Sequence, residues 1–472
     1  MSARLTRRAA LAAGAGLAVA ACGAPDRAAD PSAAPSAQSD LLQDLERRCF
    51  DWFWDLAHPL TGLIPDRWPT PSFSSVAAVG FGLSALAIGV TRGWVTRSAA
   101  AERARRTLNT LLSAPQGEAA QGVAGHRGFF YHFVQMDNGL RYARNELSTV
   151  DTALLLAGVM VCERFFDAPD EADLRRAAEQ LQARVDWRWA QVRGAAISHG
   201  WHPESGFIAW DWRGYNEAML VYLLALGSDT HGVDRAAWDA WTETYPRSWG
   251  SAYGSAPHLR FAPLFGHQFT HCWVDFRGRR DAWGRAEGLD YFENSVRATH
   301  AQHLYAKANP LGWNGYGAEV WGITACDGPA DVEREFKGQR RRFISYAGRG
   351  MGEHDDGTLA PYGAGSSIVF APEIVRPCLE AFRSRYPALW GRYGFLDSIN
   401  PSFDFTDVPL QHGRIVDGPA GRYWVASDYL GIDQGPLLLM LANQRDGLIW
   451  RLMREHPVFQ RGLARAGFQS VA

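Results

Sequence analysis

Stretches that are apolar on every side alternate along this chain with stretches that are apolar on one side only. Residues 74–90 (SSVAAVGFGLSALAIGV), 147–166 (LSTVDTALLLAGVMVCERFF) and 215–228 (YNEAMLVYLLALGS) have almost no polar face. Residues 41–58, 99–112, 171–190 and 234–246 place apolar side chains at helical spacing and charges opposite them. A helix that is apolar all round must be buried all round, whereas a one-sided helix sits between core and water. Two concentric helix layers satisfy both demands. Further helical candidates at 266–283, 288–308, 366–385, 432–445 and 447–458 bring the total to about twelve. The expectation is an all-α fold, an (α/α)6 barrel with six inner and six outer helices. No fixed-period repeat supports an open solenoid. No linker interrupts residues 41–472, so one catalytic-sized domain is expected there.

The first forty residues read differently. Arg4, Arg7 and Arg8 precede an apolar run, Ala9 to Ala21, that is short for a membrane span. The run ends in VAAC, which resembles a bacterial lipobox with Cys22 as the lipidated residue, and TRRAAL resembles a weak twin-arginine signal. Residues 1–22 are therefore expected to be a lipoprotein signal peptide and residues 23–40 a disordered tether. The protein would be exported, to the periplasm or the outer membrane, and would meet the membrane only through its lipid. The remaining cysteines, Cys49, Cys162, Cys272, Cys326 and Cys378, are scattered and form no C-x-x-C pair. They read as buried small hydrophobes, not as a disulfide framework or a zinc site. A formal net charge of −2 over 472 residues argues against a nucleic-acid partner.

Chemistry-bearing residues gather at four loop-to-helix junctions. RYARNELSTVDTALLLAG carries Glu146 and Asp151; Ser148 and Asp151 also fit a capping box. AWDWRGYNEAML carries Trp210, Asp211, Trp212, Asn216 and Glu217. Glu217 stands where an apolar helix begins: the helix dipole would lower its pKa and burial would raise it. ANPLGWNGYGAEVWGITACDGP alternates Gly and aromatic residues with Asn314, Glu319 and Asp327, a composition suited to a ligand loop. GRYWVASDYLGIDQGPLLLML places Asp428 and Asp433 before another apolar helix; Asp433 reads either as an N-cap or as a carboxylate across the cavity from Glu217. His267 and His271 have the i, i+4 spacing of metal ligands, but no third ligand is evident, and SFDFTD around Asp404 is a weak calcium candidate. No metal or cofactor is expected. Carboxylates at inner-helix starts, beside tryptophan-rich loops, are what glycoside hydrolysis needs.

Several blocks in order carry a family resemblance: NELSTVDTALLLAG, YNEAMLVYLLALGS, LFGHQFTHCWVDFRG, GLDYFENSVRATHAQ, GWNGYGAEVWGITACDGP, DDGTLAPYGAGSS and YLGIDQGPLLLM. Together they resemble the bacterial glucoamylase-like family, the β-1,2-glucanases of glycoside hydrolase family 144 and their relatives. The resemblance implies an (α/α)6 barrel that hydrolyses β-1,2-glucan with inversion. It implies Glu217 as general acid, with Asp433 and Asp151, and then Glu146, as candidates for the base. It also implies Trp210, Trp212, Asn216, His267, His271, Asn314, Glu319 and Trp321 as glucan contacts. Endo cleavage and sophorose release remain alternatives, as do another β-glucan linkage and an envelope lipoprotein that binds glucan without turnover. The partner implied is an oligo- or polysaccharide, and the protein is expected to be a monomer.

Overall fold

The computed structural model describes residues 40–471, so the calls on the signal peptide, Cys22 and almost all of the tether fall outside the described residues. In chain order the helices are α1 (Leu41–Leu56), α2 (Val76–Thr91), α3 (Arg97–Ser113), α4 (Thr149–Phe165), α5 (Ala172–Ala183), α6 (Met219–Gly227), α7 (Ala236–Thr242), α8 (Tyr245–Ser248), α9 (Ala282–Glu287), α10 (Tyr291–Ala308), α11 (Pro361–Gly365), α12 (Pro372–Arg385), α13 (Gly431–Asp446), α14 (Leu448–Arg454) and α15 (Pro457–Arg465).

Six elements form an inner ring. Helix α2 packs on α4, and α4 on α6. The next inner element is residues 264–272, tied to the start of α6 by Thr270 Oγ1, which donates to Glu217 O at 3.3 Å. Gln268 Nε2 then donates to Gly363 O in α11 at 2.6 Å. Helix α11 packs on α13, and α13 returns to α2, closing the ring. Helices α1, α3, α5, α7, α10 and α12 each precede one of these elements and form the outer layer. The chain is therefore an (α/α)6 barrel. Helices α14 and α15 close its base: α15 packs on α6, and Arg465 Nη1 donates to Leu226 O at 2.7 Å.

The burial pattern follows the two-layer logic. Every residue of α6 is buried, as are fourteen of the sixteen in α2. In α5 only Leu174, Ala177, Ala178 and Leu181 are buried, the i, i+3, i+4, i+7 stripe of an outer helix. The interior is packed, not hollow: Phe81 stacks on Trp273 with ring centroids 5.0 Å apart, and Trp273 Nε1 donates to Ser84 Oγ at 3.0 Å. Helices α2 and α4 meet backbone to backbone. A Cβ placed on Gly80 would lie 2.2 Å from Leu154 O, and one on Gly158 would lie 1.9 Å from Gly80 O, so only glycine fits at either position.

The connections differ at the two ends. From inner to outer helix they are short at residues 92–96, 166–171, 228–235 and 366–371. From outer to inner helix they are long, at 57–75, 114–148, 184–218, 243–263, 309–360 and 386–430. The N-termini of the inner helices, and the long loops, thus share one rim.

Three expectations change. Residues 266–283 are not a helix: the inner wall there is two 3-10 turns, Leu264–His267 and Thr270–Cys272. The side chain of Gln268 bonds Gly363 O and Ser367 Oγ, so the segment is anchored laterally by buried polar groups. Residues 366–370 are turns, and α12 starts only at Pro372, a residue suited to a first helical turn. The apolar run at 215–228 becomes helical only at Met219, which leaves Glu217 in the turn before α6. The five cysteines from Cys49 onward are free and buried. Among the described residues no helix is long and apolar enough to cross a membrane.

Candidate active site

Short antiparallel ladders set the starts of three inner helices. Ser75 pairs with Phe133 and is the N-cap of α2; Ser148 pairs with Gly200 and is the N-cap of α4; Leu430 pairs with Arg67 and precedes α13. These ladders place His132, Glu146, Asp151, Arg67 and Asp433 on the rim of long loops.

Glu217 is 5 % exposed, and its Oε2 has no hydrogen-bond partner among the described residues. Burial pushes its pKa up to about 7; a hydrogen bond from its own backbone opposes this, and the carboxylate of Asp151 adds to the rise. Burial therefore outweighs the opposing backbone hydrogen bond. An orphaned buried carboxyl oxygen is costly to keep unless a bound group uses it.

Asp151 lies in the first turn of α4. Its N–H donates to Ser148 Oγ at 3.2 Å, and Ser148 Oγ donates back to Asp151 Oδ2 at 2.5 Å. The capping role read from sequence is present, and the same carboxylate acts on Glu217. Its Oδ1 lies 3.5 Å from His132 Nε2, while His132 Nδ1 lies 2.8 Å from Glu146 Oε1. His132 thus bridges two of the four candidate carboxylates. Burial would raise the pKa of Glu146, but the charge and hydrogen bond of His132 outweigh it and pull it down to about 2. Glu146 is a carboxylate held by an imidazole, whereas Glu217 is a carboxyl that keeps its proton near neutrality. Sequence reading missed His132. The usable signal was a lone histidine between aromatics in FFYHFV.

Asp433 is in the first turn of α13 and is not the N-cap, a position taken by Leu430. It is 3 % exposed, and its side chain lies near that of Asp397. The third and fourth junctions meet here. Arg67 Nη1 donates to Asp327 Oδ2 at 2.9 Å and to Asp428 Oδ2 at 3.3 Å. Ligand-type atoms of Asp327, Asp428 and His412 lie within 4.8 Å of one another. Arg67 contacts both aspartates and Asp66 as well, so one guanidinium is shared among three carboxylates.

The expected sugar contacts separate into two groups. Trp210 is 60 % exposed and offers a free ring on the 184–218 connection. Trp212 is buried, stacks on His199 with centroids 3.7 Å apart, and donates from Nε1 to Thr149 Oγ1 at 2.9 Å. Asn216 Oδ1 accepts the Ala218 N–H at 3.0 Å and so caps the turn that carries Glu217. His267 and His271 are each 1 % exposed; burial holds the first well below the usual histidine range and the second at about 3, so both imidazoles are neutral. His271 Nε2 meets Ser295 Oγ at 3.1 Å. Trp321 is wholly buried, with no face for a sugar. Glu319 is exposed and ion-paired with Arg385 of α12, on the outer layer. Asn314 is exposed, and its N–H donates to Ser402 Oγ at 2.8 Å. Of the residues expected to touch ligand, Trp210 has an open aromatic face. Trp212, Asn216, His267 and His271 are committed to building the wall, and Trp321 to the core.

The profile of the Glycoamylase family of glucoamylase-like proteins matches residues 209–457, a little over half of the chain. The chain belongs to this family. Among solved relatives of this Glycoamylase chain is an endo-β-1,2-glucanase from Chitinophaga pinensis in complex with sophorotriose and glucose. It is 25 % identical, with a TM-score of 0.77 over 92 % of this chain and 99 % of that one. A β-1,2-glucanase from Parabacteroides distasonis shares the fold at 23 % identity and a TM-score of 0.75, over 92 % of this chain and 60 % of that one. An exo β-1,2-glucooligosaccharide sophorohydrolase acting at the non-reducing end, from the same organism, is 24 % identical over 91 % of this chain. The chain spans 58 % of that relative's length.

Proposed function

We propose that this chain is a glycoside hydrolase that cleaves β-1,2-linked glucan with inversion of configuration. The observation that carries the reading is the buried carboxyl of Glu217, whose Oε2 has no hydrogen-bond partner among the described residues and whose pKa burial pushes up to about 7 at the loop-rich rim. A leaving glycosidic oxygen needs a proton at the moment the bond breaks, and a carboxyl with a raised pKa supplies it. The second group must be an ionised carboxylate that activates water from the opposite face of the sugar. Asp433 and Asp151 are the candidates for that group, and Glu146, held by His132, stands behind them. Support for the substrate comes from relatives named as β-1,2-glucan hydrolases. Trp210 supplies an apolar face of the kind sugars stack on. The reading extends to an exported, monomeric lipoprotein tethered through Cys22.

Product analysis on a panel of β-1,2-, β-1,3-, β-1,6- and α-1,4-glucans tests it. β-1,2-Glucan should yield short oligosaccharides whose new reducing ends appear first as the α-anomer by proton NMR. No release from β-1,2-glucan removes the substrate assignment, and a β-anomer removes inversion.

A further inference from the structure

Four large hydrophobic side chains stand exposed among the described residues, and Trp210, at 60 %, is the largest of them. The backbone beneath this ring is held from two sides. On the inner side Trp210 O accepts the His199 N–H at 3.0 Å, and the Trp212 N–H donates to Ile197 O at 2.8 Å. On the solvent side stands Arg193. Its Nη2 reaches Ile208 O at 2.8 Å, Trp210 O at 3.3 Å and Ser198 Oγ at 3.4 Å. Nη2 and Nε together grip the Asp211 carboxylate, at 2.5 and 3.2 Å. A tight turn, in which Arg193 pairs with Ala196 and Gly194 takes a φ of 81°, brings the guanidinium to this place.

An ion pair between two exposed side chains contributes little. This one differs in kind. The Asp211 carboxylate is only 8 % exposed, the guanidinium meets it as a two-point fork, and two carbonyls of the same segment complete the set. The segment also has a fixed place relative to the acid and its neighbours. His199 O accepts the Thr149 N–H at 3.2 Å, and Thr149 lies two residues before Asp151. Paired strands lie about 4.8 Å apart, so the Trp210 backbone stands roughly 10 Å from the start of the helix that carries Asp151. From Trp210 the chain runs on directly to the turn that holds Glu217. A glucan that reacts at Glu217 covers that distance within a few sugar units.

We propose that Arg193 is a positioning residue for a sugar-stacking subsite at Trp210, a ring it holds in place for the stretch of glucan beyond the reacting bond. The proposal rests on the reading of the chain as a β-1,2-glucan hydrolase. The ring supplies the apolar face. The clamp supplies preorganisation, because a loop already fixed loses little freedom when sugar binds. The subsite serves long chains: a short oligosaccharide seated at Glu217 ends before it reaches Trp210.

The test compares Arg193→Ala, Arg193→Lys and Trp210→Ala on long β-1,2-glucan and on its short oligosaccharides. Arg193→Ala should raise KM for long glucan about tenfold with kcat within about twofold of wild type, and the rise should shrink as the chain is shortened. Lysine keeps the charge but not the fork, so Arg193→Lys should recover part of the loss. Trp210→Ala should show the same dependence on chain length. Adding Arg193→Ala to it should cost less than about threefold more, because the clamp has no ring left to hold. A loss in kcat that is equal for every chain length, or additive losses in the double variant, overturn the proposal. Hydrogen exchange reads the clamp without substrate: the amides of His199 and Trp212, which bond across this segment, should exchange about tenfold faster in Arg193→Ala. Unchanged exchange also overturns the proposal. Should Arg193→Ala fail to fold, Asp211→Asn weakens the same fork from the other side and is judged by the same criteria. A wild type inactive on β-1,2-glucan removes the parent reading, while the exchange result still decides whether Arg193 holds the Trp210 segment.

Discussion

Replacing Glu217 by Gln tests the proton donor with little change in shape. The pKa of Glu217 rises from 4.5 to about 7, which lifts its protonated fraction at pH 7 from ~0.3 % to about half, a gain of roughly 160-fold in available acid. Gln can occupy the site but cannot release a proton to the leaving oxygen. The expected loss in kcat is on the order of 10²- to 10⁴-fold, with binding of β-1,2-glucan retained. A chromogenic substrate whose leaving group is an acidic phenol needs little protonation, so on it the variant should recover most of the loss. Wild-type activity should fall as pH rises through about 7, as Glu217 ionises. The same shift carries a stability signature. The folded state binds this proton more tightly than the unfolded chain, so wild-type stability falls between about pH 4.5 and 7 and stays lower above that window. The full effect is at most about 3 kcal/mol. Glu217→Gln has no such proton to lose, so its urea midpoint should overtake that of wild type as pH rises from 5 to 8. Hydrolysis of natural glucan by Glu217→Gln at the wild-type rate refutes the assignment of the acid. A stability difference that does not depend on pH refutes the shifted pKa.

Two further perturbations probe the frame around that acid. His132→Gln leaves Glu146 and Asp151 without their shared imidazole. The freed negative charge should raise the pKa of Glu217 further, moving the alkaline limb of the activity profile upward and lowering kcat by roughly ten- to a hundredfold. An alkaline limb that stays in place counts against the bridge. Gly158→Ala puts a methyl group 1.9 Å from Gly80 O, where backbone must move to admit it. A loss of about 2–3 kcal/mol by urea denaturation is expected, and a loss below about 0.5 kcal/mol would mean that α2 and α4 do not cross at contact distance.

The layer architecture was legible because burial imposes composition. Helices α2, α4 and α13, enclosed by neighbours, could not carry a polar face, and α5 could not avoid one. The inner wall at 264–272 escaped this reading. Its apolar residues satisfy burial in a 3-10 turn as well as in an α-helix, and lateral bonds such as Gln268 to Gly363 O leave no local periodicity. At the site, Glu217 and Asp151 were visible as ionisable residues at the edges of apolar runs. His132 was not, because it gains its meaning from two partners that only the fold brings together, Glu146 at the far end of its own connection and Asp151 in the first turn of α4. Trp321 misled for the opposite reason. Tryptophan among glycines reads as an exposed platform, but this ring is enclosed by the packed wall.

The unequal connections at the two ends of the barrel separate two kinds of freedom. Each long segment leaves one outer helix and enters the adjacent inner one, so its two anchor points are set by helix packing at roughly 8–10 Å and not by the segment itself. Lengthening, trimming or exchanging such a segment reshapes the entrance and leaves the helix pairs in register. On the opposite face the connections at 92–96, 166–171, 228–235 and 366–371 are short, and α14 and α15 pack there against α4, α6 and α13. Divergence in which glucan is gripped, and how far along its length, can thus accumulate on one rim as a set of separately replaceable parts, while the other face holds the scaffold constant.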